Sequence, residues 1–291
     1  MRRVTIYFIK IFFFIVIIIS HSVYGQNTFQ GIILDSITKK PVPYAIVRSF
    51  SFGSYTDSLG FFSFKDILDD TAYISCVGYA DKKIVINRDR PDTILLSPFF
   101  KTLRPVVVGD YDWLKNKKIE IGRLAGPSKF RLNVPESGLT IVKYFSHPNL
   151  QKTYVLSELV VRVSLPKLKY NASKFRIRIF AAKDDKTIGE EILNATDIFI
   201  LNEIRENLAY VDLKKFEFDI PESGCFIGFE FLGTTDESND VSTLSLLGWL
   251  SSDFEDGLIM TRYFTKTFRP FSFGKNQKAN LYFSVTLHER N

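Results

Sequence analysis

Histidine, cysteine and helical periodicity are all scarce in this chain, and each scarcity closes off a class of function. Three histidines and two cysteines stand among 291 residues. Cys76 and Cys225 are far apart, and each falls on the apolar face of a predicted strand, where a thiol serves as a small hydrophobe. A disulfide between them would have to join separate domains. Beyond the N-terminal leader only His147 and His288 remain, so no close-spaced Cys/His cluster of the kind zinc requires is present. Neither histidine stands in a recognisable nucleophile context. The polar loop Thr234–Asp240 offers oxygen ligands but lacks the spaced acids and the glycine of a calcium loop. No cofactor and no metal are expected. Basic runs and low-complexity segments are also missing, which gives no reason to expect nucleic acid or a strongly anionic membrane as partner.

One long apolar run is present, and it lies at the N-terminus. Arg2 and Arg3 precede a stretch from Ile6 to Ile19 broken only by Lys10, and the chain turns polar at Ser20. This is the pattern of a secretory signal peptide over residues 1–25, with Val23 and Gly25 at the positions a peptidase inspects and cleavage between Gly25 and Gln26. A retained anchor would need roughly 20 apolar residues, and no cysteine near the cleavage point invites a lipid. The leader carries three of the 38 basic residues and none of the 32 acids, so the net charge falls from +6 to +3 on its removal. Export is expected, to the periplasm, the outer membrane or the medium, with membrane contact only through an uncleaved leader or a partner.

The rest of the chain alternates. Leu281, Phe283, Val285 and Leu287 interleave with Tyr282, Ser284, Thr286 and His288. Phe175, Ile177 and Ile179 interleave with Arg176 and Arg178, and Cys225, Ile227, Phe229 and Phe231 with Gly228 and Glu230. A period of two with turn residues between runs predicts half-buried strands and an all-β fold. With 28 Phe and 13 Tyr there is material for two cores. The pattern lapses between Pro98 and Gly126, which divides the chain into a first domain over residues 26–98, a linker over 99–126 and a second domain over 127–291.

In the first domain about seven short strands are predicted, near Phe29–Leu34, Pro43–Val47, Gly53–Thr56, Phe61–Phe64, Ala72–Cys76, Lys82–Ile86 and Thr93–Leu96. Asp57, Ser58 and Gly60 mark a hairpin, not a phosphate loop. Gly31-Ile32-Ile33-Leu34-Asp35, Pro41-Val42-Pro43-Tyr44-Ala45, Thr56-Asp57-Ser58-Leu59-Gly60-Phe61-Phe62 and Ile74-Ser75-Cys76-Val77-Gly78-Tyr79 follow one another in an order and spacing that resemble the carboxypeptidase regulatory-like domain of Bacteroidetes-type envelope proteins. That resemblance implies a prealbumin-like sandwich without peptidase activity, accompanying other modules. In many relatives a segment similar to Leu103–Val108 leads into a TonB-dependent transporter. About 180 residues follow it here, too few for a barrel of up to about 22 strands.

The second domain is expected to be a larger, jelly-roll-like antiparallel sandwich; its strand order loosely resembles the C-terminal part of exported proteins carrying the same first domain. Three sets of residues are candidates for chemistry there. Glu190 and Glu191, with Asp253, Glu255 and Asp256, could form a paired-carboxylate site if two converged on one cleft, but their polar, turn-like settings read as solvated surface. Trp249, Tyr263 and Phe264 flank the acidic loop 253–257 and could stack a sugar ring; the alternative is that they fill a core. Arg162, Arg176 and Arg178 fall on outward strand faces and could form a cationic stripe for an acidic glycan or protein, or else a solvated sheet face. The expectation is a non-enzymatic envelope accessory protein that binds an envelope protein, with glycan binding as the rival and a glycan-active enzyme behind it.

Overall fold

The structure, a computed structural model, describes residues 28–49, 52–64, 70–86, 91–99, 111–133, 138–164, 173–183, 187–193, 199–200, 204–234, 245–253, 257–264, 267–273 and 276–290. The expected leader, most of the loop Thr234–Asp240, and Glu255 and Asp256 lie outside them. Among the described residues no helix is long and apolar enough to cross a membrane.

The protein is all-β and builds two sandwiches. The first contains β1 (Phe29–Asp35), β2 (Ile46–Ser49), β3 (Phe52–Tyr55), β4 (Phe61–Phe64), β5 (Thr71–Ser75), β6 (Lys82–Val85) and β7 (Asp92–Leu96). They form a three-stranded sheet, β4-β1-β7, and a four-stranded sheet, β3-β2-β5-β6. Alternation dictates the packing: Phe29 and Ile33 of β1 meet Val47 of β2, Phe62 of β4 and Ile74 of β5 in one core. The hairpin forms as the sequence suggests, with Asp57 Oδ1 accepting hydrogen bonds from the backbone of Leu59 and Phe61.

The second sandwich contains β8 (Lys118–Gly122), β9 (Phe130–Asn133), β10 (Leu139–Phe145), β11 (Thr153–Ser164), β12 (Ser173–Ala182), β13 (Ile188–Leu193), β14 (Phe199–Ile200), β15 (Ile204–Arg205), β16 (Leu208–Asp212), β17 (Cys225–Thr234), β18 (Ser245–Ser251), β19 (Ile259–Tyr263), β20 (Arg269–Pro270), β21 (Ser272–Phe273), β22 (Gln277–Leu281) and β23 (Phe283–Arg290). Among these, β13-β12-β17-β10-β19-β20, with β14 beside β12, make a seven-stranded sheet, and the remainder a nine-stranded one. Neighbours far apart in sequence cross repeatedly between the two sheets. Phe175, Ile177 and Ile179 face Phe283, Val285 and Leu287 in the core between the sheets, with Ile227 and Phe229.

The expected linker over 99–126 differs from what is found. Residues 112–115 form a 3-10 turn whose Trp113 ring packs on His288 at 5.5 Å, and β8 pairs with β23 in register from Lys118↔His288 to Gly122↔Ser284. The alternation over five residues of β8 was too short to stand out beside prolines and glycines. The second sandwich therefore begins at about Tyr111.

Phe283 is fully buried and packs on Phe229 with ring centroids 5.6 Å apart. Phe283→Ala should cost about 3–5 kcal/mol of unfolding free energy, read by urea denaturation.

Candidate functional site

Alternation that sends Ile177 and Phe229 into the core sends Arg176, Arg178 and Glu230 to the opposite face of the seven-stranded sheet. Register then sets a polar row across four strands: Arg176 on β12 opposes Glu230 on β17, Glu230 opposes Thr140 on β10, and Thr140 opposes Arg262 on β19. The first sandwich sits on this row. Arg176, Arg178 and Glu230 are consequently 4%, 8% and 1% exposed, far from the solvated stripe the sequence suggests. Nothing in the local pattern of β12 reveals that another domain covers its polar face.

Glu230 is the centre of the arrangement. Its Oε2 accepts from Arg178 Nη1 at 2.8 Å and from Arg176 Nη1 at 3.4 Å. Its Oε1 accepts from the Tyr55 hydroxyl at 2.9 Å, a hydrogen bond from the first sandwich to the second. Arg178 is shared with Glu191, whose two oxygens lie 2.6 Å from Nε and Nη2. Burial pushes the Glu230 carboxyl up, but the Arg178, Arg176 and Arg262 guanidiniums together outweigh it and hold the carboxyl below its ordinary range. For Glu191 burial prevails over Arg178, and its carboxyl is raised. Burial and the adjacent Glu230 charge raise Tyr55 well above an ordinary phenol.

Phe264 completes the seam between the sandwiches. Its φ of 47° is in the left-handed region, costly for a bulky residue, and its ring lies 5.4 Å from that of Tyr55. Gly53 and Gly138 make the slot: a Cβ on Gly138 would stand 2.1 Å from the Phe264 ring, and one on Gly53 would stand 3.0 Å from it. Beside the seam a cleft of about 970 Å³ opens between the sandwiches. Arg48, Cys76 and Tyr79 line it from the first sandwich, and Arg176, Glu191 and Arg262 from the second. Burial pushes the Cys76 thiol up to about 11, which favours the thiol over the thiolate at neutral pH.

The other candidates disperse. Arg162 belongs to β11 in the other sheet, where it donates to the Gly126 carbonyl at 2.7 Å and lies over Tyr282; it shares no face with Arg176 and Arg178. Trp249, 6% exposed, packs against Tyr282 at 4.7 Å with Arg123 over its ring at 4.8 Å, and offers no platform to a sugar. Phe264 is taken up in the seam, and of the three aromatics Tyr263 alone is exposed, at 48%. The carboxylates also separate: Glu190 and Glu191 lie on β13, whereas Asp253 follows β18 in the other sheet. Among the described residues no group of three His, Cys, Asp or Glu could hold a metal ion.

Sequence reasoning missed Tyr55, Arg262 and the role of Glu230. A signal existed for Glu230, a carboxylate amid the apolar run Phe226–Leu232, since such a group must be paired if the strand is covered on both faces. Tyr55 and Arg262 carried none, because only the docking of the sandwiches gives them their role.

No family model and no curated protein matches the chain. Among solved structures it is similar to the crystal structure of BcpA, the major pilin subunit of Bacillus cereus, at 10% identity over 89% of this chain and 69% of that one. The TM-score is 0.18, too low for the likeness to carry any argument.

Glu230→Gln strands the buried Arg176 guanidinium, leaves Arg178 with Glu191 alone, and should cost about 3–5 kcal/mol in urea denaturation at pH 7. Because the folded Glu230 carboxyl lies below its ordinary 4.5, the stability it contributes is complete above that value and is lost as pH falls through the lower folded value. Glu191, with its carboxyl raised, works in the opposite sense and recovers stability as pH falls through its folded value towards the ordinary 4.5. Below pH 4.5 the wild type should therefore lose stability more steeply than Glu230→Gln.

Proposed function

We propose that this is an exported, non-enzymatic accessory protein of a bacterial envelope that binds another envelope protein in the cleft between its two sandwiches. The observation that carries the reading is the cleft itself, walled by both sandwiches and floored by buried charge. Ligand sites occur preferentially at domain interfaces, where concave walls and a few fixed polar groups come together. The leader pattern at residues 1–25 motivates export, and the blocks from Gly31 to Tyr79 motivate assigning the first sandwich to the carboxypeptidase regulatory-like class. In this reading the first sandwich is a docking module that forms one wall, and the second supplies the charged floor. The non-enzymatic reading rests on how the polar residues are used: Glu230 and Glu191 are tied to guanidiniums, and the Cys76 thiol is held protonated. Glycan binding through Trp249 loses its footing with that ring's burial.

The test is a photocrosslink. Benzoylphenylalanine replaces Phe99, a residue on the cleft rim that is 60% exposed, and separately Tyr210, 38% exposed on β16 of the other sheet. The expected result in intact source cells is one envelope protein crosslinked from position 99 and absent from position 210. Equal labelling from both positions, or none from position 99, would overturn the reading.

A further inference from the structure

Four guanidiniums, Arg48, Arg176, Arg178 and Arg262, and four carboxylates, Asp81, Glu190, Glu191 and Glu230, line the cleft, but they are not matched pair for pair. On its floor the buried Arg176 and Arg178 and the half-buried Arg262 face two carboxylates, the buried Glu230 and the half-buried Glu191. Asp81 and Glu190, also on the lining, are exposed at the rim, as is the half-exposed Arg48. Rim charges are screened by water, whereas charges on the covered floor are not. Arg178 is paired with both carboxylates, at 2.8 Å to Glu230 and 2.6 Å to Glu191.

Arg176 and Arg262 are each left half-satisfied. Arg176 is 4% exposed and makes one side-chain hydrogen bond, the long one to Glu230, and its buried Nε has no partner among the described residues. A buried, unpaired donor on a charged group is costly, and native proteins rarely leave one without a reason. Arg262 has no carboxylate within 4.0 Å among the described residues. Its Nε reaches Thr140 Oγ1 at 3.4 Å, and its plane lies over Phe268 at 4.6 Å and Phe180 at 5.5 Å. Burial and the neighbouring Arg178 charge make its protonated state less comfortable than in water. The two arginines stand at opposite ends of the row Arg176, Glu230, Thr140, Arg262. Three strand spacings separate their backbones by about 14 Å, a span two long side chains can close over a ligand between them.

Resting on the cleft as the binding site, we propose that it captures a carboxylate of a peptide segment, held between Arg176 and Arg262. Arg176 and Arg262 are the guanidiniums on the floor that no carboxylate holds at short range, and one carboxylate placed between them would serve both. A planar carboxylate also suits the fork of a guanidinium whose other face is already stacked. On the floor the Phe180 and Phe268 rings are engaged by Arg262 at 5.5 Å and 4.6 Å, so the polar groups there favour a carboxylate over a stacked sugar ring.

The experiment uses the full chain as the cells export it, labelled with 15N-arginine, and follows the side-chain Nε resonances of Arg176 and Arg262 during titration. Four probes are compared: acetyl-Gly-Glu-Gly-amide, acetyl-Gly-Gln-Gly-amide, acetyl-Gly-Gly-Gly with a free C-terminus, and digalacturonate, with inorganic phosphate as an ion control. The expected result is a saturable shift with a carboxylate-bearing peptide and at least about tenfold weaker binding of the glutamine peptide. The glutamate and free-C-terminus probes tell an acidic side chain from a chain end. Arg176→Lys and Arg262→Lys, checked for an unchanged melting profile, should each weaken the binding about tenfold. Equal response to the glutamate and glutamine peptides, or a response confined to digalacturonate or phosphate, would overturn the proposal. The comparison of the two peptides on the wild type stands even if a variant fails to fold. A position-99 crosslink that persists while no carboxylate binds would sink this inference alone, whereas loss of the crosslink would sink the cleft reading with it.

Discussion

One buried carboxylate, Glu230, joins the two halves of this protein. It sits at the middle of a sheet face that would be solvated if the second sandwich stood alone, and it is 1% exposed because the first sandwich covers it. Two guanidiniums and one phenol converge on its two oxygens. Removing so much charge from water is expensive, and the pairing offsets that cost only while the hydrogen bonds are complete. The Tyr55 hydroxyl comes from the other domain, so completing the set requires docking. The Phe264 ring in its glycine-lined slot adds shape to the same seam. Polar geometry and close packing thus specify one relative position of the sandwiches, and the cleft beside the seam inherits its shape from that position.

The consequence for function is a site whose chemistry belongs to neither domain alone. The second sandwich supplies a floor with two incompletely paired guanidiniums, and the first supplies the wall and the phenol that keeps Glu230 fully engaged. With Glu230 and Glu191 both committed to Arg178, the carboxylates on the floor serve to hold guanidiniums in place.

The strands were legible in the sequence because each depends on a local pattern. All seven strands of the first sandwich fall within the predicted stretches or a residue or two of them, and β12, β17 and β23 present the faces their alternation demands. The 3-10 turn and β8 were not legible, because five residues between prolines and glycines carry too little periodicity. For the candidate site, the sequence placed Arg176 and Arg178 on the correct face of their strand and had no means of telling that another domain covers it. Arg162 looked equivalent because strand alternation says nothing about which sheet a strand joins. Trp249 illustrates the same limit: the cover over its face comes from Arg123 and Tyr282, some 126 and 33 residues away in sequence.

The measurement that tests the central claim most directly is a double-mutant cycle between Tyr55→Phe and Glu230→Gln, read by urea denaturation of the full chain. If the carboxylate couples the sandwiches through the phenol, the two changes should interact by about 1–3 kcal/mol. Additive effects, with no interaction between them, would contradict the claim that Glu230 holds the two sandwiches together.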